Sequence, residues 1–348
     1  MSLKNGLLVH QGILREENGY YIVRQSMPYP LAENNAFLVE QSSGWSVIDV
    51  GIELPRTHQV WEQVFQEVGI LPRQVKAIYI THCHPDHLGA ARWLQEQTEA
   101  PVYMLEEEIT RACRFVFLDE KYFASLYQRE IEPAFVTNGF SPLLLEKLVK
   151  DWHLEVSPRY PRPRDIQPLR SGETLDLQGK AFEIIPAPGH ADGQFLLWNS
   201  QLGHLFCADL VVAGSYLHFT DWPNSFLDDP LASFFSVSEQ LQSLGVQKVF
   251  PGHGATFTNL AERLQRLTRR HHKFMTQVED LVKQPLLAND LYPLLVPVFG
   301  FNMEEIEYIH LHRVLMGELL GYLNHLVTQQ RLLRWKDTDR TYYAPAKA

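Results

Sequence analysis

The chain has 348 residues, a formal net charge of -10, and 45% hydrophobic against 21% charged residues. That length exceeds what one hydrophobic core supports, so a large domain with a smaller appended or inserted one is expected, and the composition excludes long disorder and fibrous repeats. The acidic balance disfavours a general affinity for nucleic acid, although a local basic patch can still bind an anion.

The opening MSLKNGLLVHQGILREENG has neither a sustained apolar segment nor a small-residue cleavage site, and no stretch of about 18 uncharged apolar residues follows. Neither export by that route nor a membrane span is expected. Cys83, Cys113 and Cys207 are odd in number and far apart, which suits a reducing cytoplasm better than a disulfide framework.

From Gly12 to Asp49, short alternating or apolar runs are broken by Glu17-Asn18-Gly19 and Ser42-Ser43-Gly44, which reads as antiparallel strands joined by hairpin turns. Pro55 to Val68 has helical spacing, and Val75 to Ile80 is a buried strand that runs into the loop Thr81-His82-Cys83-His84-Pro85-Asp86-His87. A helix starts there, and Val102 to Leu105 is the next strand. From about 106 to 168 the pattern turns helical and closes on the proline-rich PRYPRPRDIQP, as an inserted subdomain or lid would. Strands return at Ala181–Pro186, Gln194–Trp198 and Gly203–Cys207. A helix then spans Pro230–Leu244, with Asp229 as its N-cap, before the strand Lys248–Phe250. After Asn259 the chain is mainly helical and ends in a hairpin, Leu332–Trp335 with Arg340–Tyr343. The sequence divides into residues 1–262 and a C-terminal helical, winged-helix-like part at 263–348. There is no internal repeat of fixed period.

Three imidazoles and a carboxylate within six positions are hard to explain as polar surface. His82 and His84 are two apart and can point to one side of an extended segment, while Asp86 and His87 sit where the chain turns into a helix. That spacing supplies two adjacent sets of the donors zinc and similar borderline metals prefer. So short a cluster cannot complete two coordination spheres, and further donors do stand at later strand ends: His190 after Pro188-Gly189, Asp209 after Cys207-Ala208, and His253 after Pro251-Gly252. Cys83 lies between two of the donors, where strand alternation turns it away.

As a set, these motifs resemble the hydrolases of the metallo-β-lactamase superfamily, glyoxalase II-like, with T-H-x-H-x-D-H, then P-G-H, G-D or A-D and a final G-H in order over roughly Gly12 to Thr256. The resemblance implies a four-layer αββα sandwich. It also implies that His82, His84 and His190 hold one divalent metal and Asp86, His87 and His253 the other, with Asp209 bridging. The metals would be two zinc ions, with iron or manganese as alternatives. Two such ions sharing a water can bring its pKa near 7, and Asp86 would orient that nucleophile and relay its proton. Asp49, in Val47-Ile48-Asp49-Val50-Gly51, occupies the family's position for orienting a ligand imidazole. On sequence alone it equally fits a cap at the strand-to-helix turn. Where the family typically has Gly before the bridging Asp, this chain has Ala208, expected only to alter local backbone packing.

The leading function is a dinuclear metal hydrolase of a small ester, thioester or lactone. A metal-dependent endoribonuclease on single-stranded RNA is the alternative, on the strength of the C-terminal part and of Arg263, Arg266, Arg269, Arg270, His271, His272 and Lys273, although a solvated basic helix face explains that run more simply. RNA is thus a disfavoured partner, and no membrane partner is expected. A mononuclear iron persulfide dioxygenase or a catalytically silent scaffold is the third class. The segment Ala213 to Asp229, with Tyr216, His218, Phe219 and Trp222, is a candidate pocket wall or ordinary loop packing.

Overall fold

The computed structural model describes residues 13–15, 19–27, 33–118, 120–147, 160–213, 219, 225–297 and 309–346. A seven-stranded sheet takes its strands in chain order: β1 (Ile13–Arg15), β2 (Tyr20–Ser26), β3 (Glu33–Gln41), β4 (Gly44–Ile48), β5 (Val75–Tyr79), β6 (Val102–Leu105) and β7 (Gln167–Leu169). The first four are antiparallel, and β4 to β7 run parallel. Parallel neighbours need crossovers, and helices Pro55–Val68, Ala91–Thr98 and Glu106–Phe115 lie in them.

A five-stranded sheet has the order β12-β11-β10-β9-β8, from β8 (Thr174–Leu177), β9 (Lys180–Pro186), β10 (Phe195–Asn199), β11 (His204–Ala208) and β12 (Lys248–Pro251). Its β11 and β12 are parallel, and the other neighbours antiparallel. Strand alternation then sorts the side chains. Tyr20, Ile22, Phe37 and Val39 point between the sheets and meet Phe182, Phe195, Leu197, Phe206 and Phe250. Val23, Ala36 and Leu38 point outward, to Val60, Trp61, Val64 and Phe65 of the first helix. On the far side, Leu231 and Phe234 of helix Pro230–Gln242 and Leu264 and Leu267 of helix Leu260–Leu281 cover Leu196, Leu205 and Val249. The layers are therefore helix, sheet, sheet, helix, the expected αββα sandwich. Asp229 is the expected cap, its Oδ1 accepting the Ala232 N–H at 2.9 Å.

Three strands are not foreseen from the pattern. β7 carries Pro168 and ends the seven-stranded sheet, the edge place a proline tolerates. β8 has four residues, and β13 (Leu286–Leu287) only two. β13 pairs with β15 (Arg340–Pro345), which pairs with β14 (Leu332–Asp337), the hairpin read from the sequence. Helix Leu260–Leu281 runs unbroken through residue 262, where the sequence places a domain boundary, and Leu319, Leu323 and Leu326 of helix Ile309–Thr328 join the cluster that holds Leu264 and Val249. Among the described residues, no helix is long and apolar enough to cross a membrane.

Glu17 and Asn18 of the first expected turn, and Tyr216, His218 and Trp222, lie outside the described residues. Phe219 is buried, with its ring 4.3 Å from that of Phe234 and 5.1 Å from that of His271, so it packs in the core.

Candidate metal centre

β4 and β5 run parallel, β11 and β12 run parallel, and β9 shares the direction of β11, so all five strands deliver their C-terminal ends to one edge. Asp49 follows β4, the His82–His87 loop follows β5, His190 follows β9, Asp209 follows β11 and His253 follows β12. Backbone bonds join the two sheets there: the Phe195 N–H donates to Thr81 O (3.2 Å) and the Asn35 N–H to Gly252 O (2.7 Å). The motif loop stays extended through His84, and Pro85 opens the short helix Pro85–Leu88. His82 and His84 thus share a side, rings 4.6 Å apart, while Cys83 turns into the apolar cluster with Ile80 and Leu88.

The structure brings the seven donors expected from the sequence into two groups. His82, His84 and His190 form one, and Asp86, His87, Asp209 and His253 the other, with the donor atoms of each group within 4.8 Å of one another. In the first, His84 Nδ1 lies 3.0 Å from His82 Nε2 and 3.0 Å from His190 Nε2. In the second, His253 Nε2 lies 3.2 Å from Asp86 Oδ2 and 3.0 Å from Asp209 Oδ2. Asp209 Oδ2 is also 3.4 Å from His87 Nε2 and 3.6 Å from His190 Nε2, so this carboxylate touches both groups.

The neighbours set which ring nitrogen carries the proton. His87 Nδ1–H donates to Asp49 Oδ2 (2.8 Å), His253 Nδ1–H to Glu33 O (2.7 Å), and His82 Nδ1–H to the Thr81 hydroxyl (3.0 Å). Each Nε2, once free of its own proton, turns a lone pair to the cluster. Asp49 also accepts the Thr81 N–H and hydroxyl, at 2.8 Å each. Its carboxylate therefore holds the motif loop and one imidazole together, beyond a turn cap.

Burial, then the neighbouring His87 and His84, hold His82 well below the ordinary imidazole value, and burial with His190 beside it takes His84 down to about 3. Burial also opposes protonation of His87 and His253, but carboxylates outweigh it: Asp209, Asp49 and Asp86 raise His87 well above its ordinary value, and Asp209 and Asp86 raise His253 to about 10. Burial pushes Asp209 up, yet His253 and His87 hold it well below the usual carboxylate range. The pocket is thus built to receive positive charge. His87 Nε2 and Asp209 Oδ1 are buried without a hydrogen-bond partner, at a cost of about 1–3 kcal/mol each. A donor set of five imidazoles and two carboxylates, two of whose atoms are buried and unpaired, fits divalent cations of the zinc, iron or manganese kind.

His84, Asp86 and His190 are partly exposed, whereas His82, His87, Asp209 and His253 are buried, so the former three face the approach to the site. Asn35 and Gln194 were not among the residues expected at the site. Asn35 Nδ2 donates to Pro251 O and Gly254 O (2.9 Å each), holding the His253 loop, and Gln194 Oε1 accepts the Asp209 N–H at 3.1 Å. Each contact links distant parts of the chain, and no local signal marks them. Ala208 has φ 44° and Asp49 φ 56°. The left-handed backbone explains why glycine suits position 208, and alanine there costs about 1 kcal/mol, a matter of dihedral angle rather than the packing change expected from the sequence.

Residues 30–253 match the family described as the Metallo-beta-lactamase superfamily. The chain belongs to that superfamily of metal-dependent hydrolases. Along nearly its whole length it is similar to the probable metallo-hydrolase YqjP of Bacillus subtilis (strain 168), 22% identical over 335 residues, which span 93% of this chain and 97% of the relative. It is 32% identical over 114 residues to the acyl-coenzyme A thioesterase MBLAC2 of Homo sapiens, 32% of this chain and 39% of that one. Among solved structures, a beta-lactamase domain protein from Burkholderia ambifaria has a TM-score of 0.82 at 23% identity, covering 98% of this chain and 96% of that one. A metallo-beta-lactamase family protein from Thermus thermophilus has a TM-score of 0.78 at 24% identity, covering 94% and 98%.

Proposed function

We propose that the protein is a dinuclear metal-dependent hydrolase of a small ester, thioester or lactone, with thioesters first. The observation that carries this reading is Asp209, whose carboxylate touches both donor groups while one of its oxygens is buried without a partner. On this reading His82, His84 and His190 hold one cation, Asp86, His87 and His253 the other, and Asp209 both. When bound, two zinc ions would supply Lewis acidity and lower the pKa of a water shared between them. The remaining work falls to the chain. Asp86, partly exposed and 3.2 Å from His253 Nε2, orients the attacking water and takes its proton, and Asp49 fixes the His87 ring. The acyl-coenzyme A thioesterase among the relatives supports the choice of thioesters. The three cysteines are free, which supports a cytoplasmic setting, and the helices closed by the β13-β15-β14 sheet support a winged-helix-like C-terminal part.

The endoribonuclease reading loses much of its basic face. Arg263 is buried and donates from Nε to Val212 O (2.9 Å), Arg270 lies over the Phe274 ring, and His271 is buried against Tyr322. The dioxygenase reading uses one metal and leaves the second donor group without a role.

Protein loaded with zinc or manganese should release thiol from a panel of acyl thioesters, and a His84→Ala, Asp86→Ala variant should not. Absence of turnover on every thioester, with both metals bound, would move lactones and single-stranded RNA to the front. Asp49→Asn should weaken the cation at Asp86, His87 and His253 by about 10–100-fold, because an amide cannot accept from all three of its donors. Chelator competition measures this, and unchanged affinity would leave Asp49 only a capping role.

A further inference from the structure

Helix Glu106–Phe115 begins with three glutamates, of which Glu106 and Glu107 are exposed and Glu108 is fully buried. Glu108 Oε2 accepts the backbone N–H of Cys83 at 2.6 Å, and its Oε1 accepts that of Gly193 at 2.7 Å. Cys83 stands between His82 and His84, and Gly193 lies three residues beyond His190.

We propose that Glu108 is a positioning residue for the His82, His84 and His190 group, setting the separation of the two loops that carry those imidazoles. A single carboxylate accepting from both loops fixes their spacing as a bound water or a pair of independent contacts would not. The approach is close: a Cβ at Gly193 would lie 2.7 Å from Glu107 Cβ and 3.3 Å from Glu108 Cγ. One turn further along the helix, Arg111 Nη1 pairs with Asp192 Oδ2 at 3.0 Å, a second tie to the His190 loop. Asp192 also accepts from the Ser225 hydroxyl and the Phe226 N–H. Asp49 serves the other donor group in the same manner, accepting from His87 and Thr81. Two buried carboxylates therefore brace the centre, Asp49 at a strand end, which also reaches His82 through the Thr81 hydroxyl, and Glu108 on the first helix of the insert.

This inference rests on the two-cation reading, and zinc titration against a chromogenic chelator separates the two. Wild-type protein that binds fewer than two equivalents would sink that reading itself. In Glu108→Gln, one oxygen is kept and the other becomes an NH2 group facing an N–H donor. One of the two equivalents should then bind about 10–100-fold more weakly and the other within about twofold of wild type. Glu108→Asp keeps the charge but cannot span both amides, and should fall between. Two equivalents at wild-type affinity in Glu108→Gln would overturn the proposal. So would equal weakening of both, with a lower thermal midpoint of the cation-free protein, the mark of a general structural role. Should Glu108→Gln not fold, Glu108→Asp decides by the same titration.

Discussion

Asp209→Asn should lower thioester turnover by at least about 10²–10³-fold, the scale on which removal of a charge-stabilising group is felt at a preorganised site. Oδ2 of this residue stands 3.0 Å from His253 Nε2, 3.4 Å from His87 Nε2 and 3.6 Å from His190 Nε2. An amide removes the negative charge that both groups share. It also offers an NH2 where a lone pair is needed, so neither cation would keep its full donor set. The backbone has little reason to move, since the Asp209 N–H still donates to Gln194 Oε1. A second readout follows from linkage. A cation present at 100 times its dissociation constant stabilises the folded state by about 2.7 kcal/mol, and the variant should lose most of the zinc-dependent rise in thermal midpoint. Turnover within tenfold of wild type, with the zinc-dependent rise intact, would mean that Asp209 does not join the two groups.

Gly252→Ala should cost nearly as much activity by a steric route. A Cβ at that position would lie 2.1 Å from Asp209 Oδ1, 2.9 Å from His87 Cε1 and 3.2 Å from the Ala208 carbonyl carbon. The glycine cannot back away, because its N–H donates to Ala208 O and its carbonyl accepts from Asn35 N, both at 2.7 Å. The donors must move instead. Overpacking of this kind costs about 1–3 kcal/mol, and the displacement falls on both donor groups through Asp209. Gly254→Ala is the matched control. It has φ 77°, and the nearest atom to its added Cβ is Ala213 O at 4.0 Å, so it should lose about 1 kcal/mol from backbone strain and keep its cations. Zinc equivalents per chain and denaturant midpoints distinguish the two. Full zinc binding by Gly252→Ala would show that the strand end yields where the bonding says it cannot.

The donors were legible because metal ligation needs particular side chains at strand ends, and both requirements leave marks in the sequence: imidazoles two apart, a proline opening a helix, and a glycine close before His190 and His253. Asp49 was only half legible. A carboxylate after a strand fits a cap as well as a hydrogen bond to an imidazole, and the choice depends on how β4 and β5 align. Glu108 and Asn35 left no mark, since each acts across a contact between elements far apart in the chain, and Glu108 is one of three adjacent glutamates with nothing local to set it apart; Gly252 was marked only as the glycine before His253, not as the seat of the Asp209 carboxylate. The basic run from Arg263 to Lys273 was read as a solvated face, and it is one only in part, for a related reason. Long cationic side chains bury their stems and reach polar atoms at their tips, so Arg263 and Arg270 turn inward without breaking the helical pattern. β7 and β8 were lost to shortness and to a proline that an edge strand tolerates.

On the proposed reading, seven side chains hold two divalent cations on either side of Asp209. Anomalous diffraction from crystals of the zinc-loaded protein, collected on both sides of the zinc absorption edge, tests it most directly. Two peaks are expected, one among His82, His84 and His190 and one among Asp86, His87 and His253, each within bonding distance of Asp209. A single peak, or two peaks of which neither touches Asp209, would contradict it.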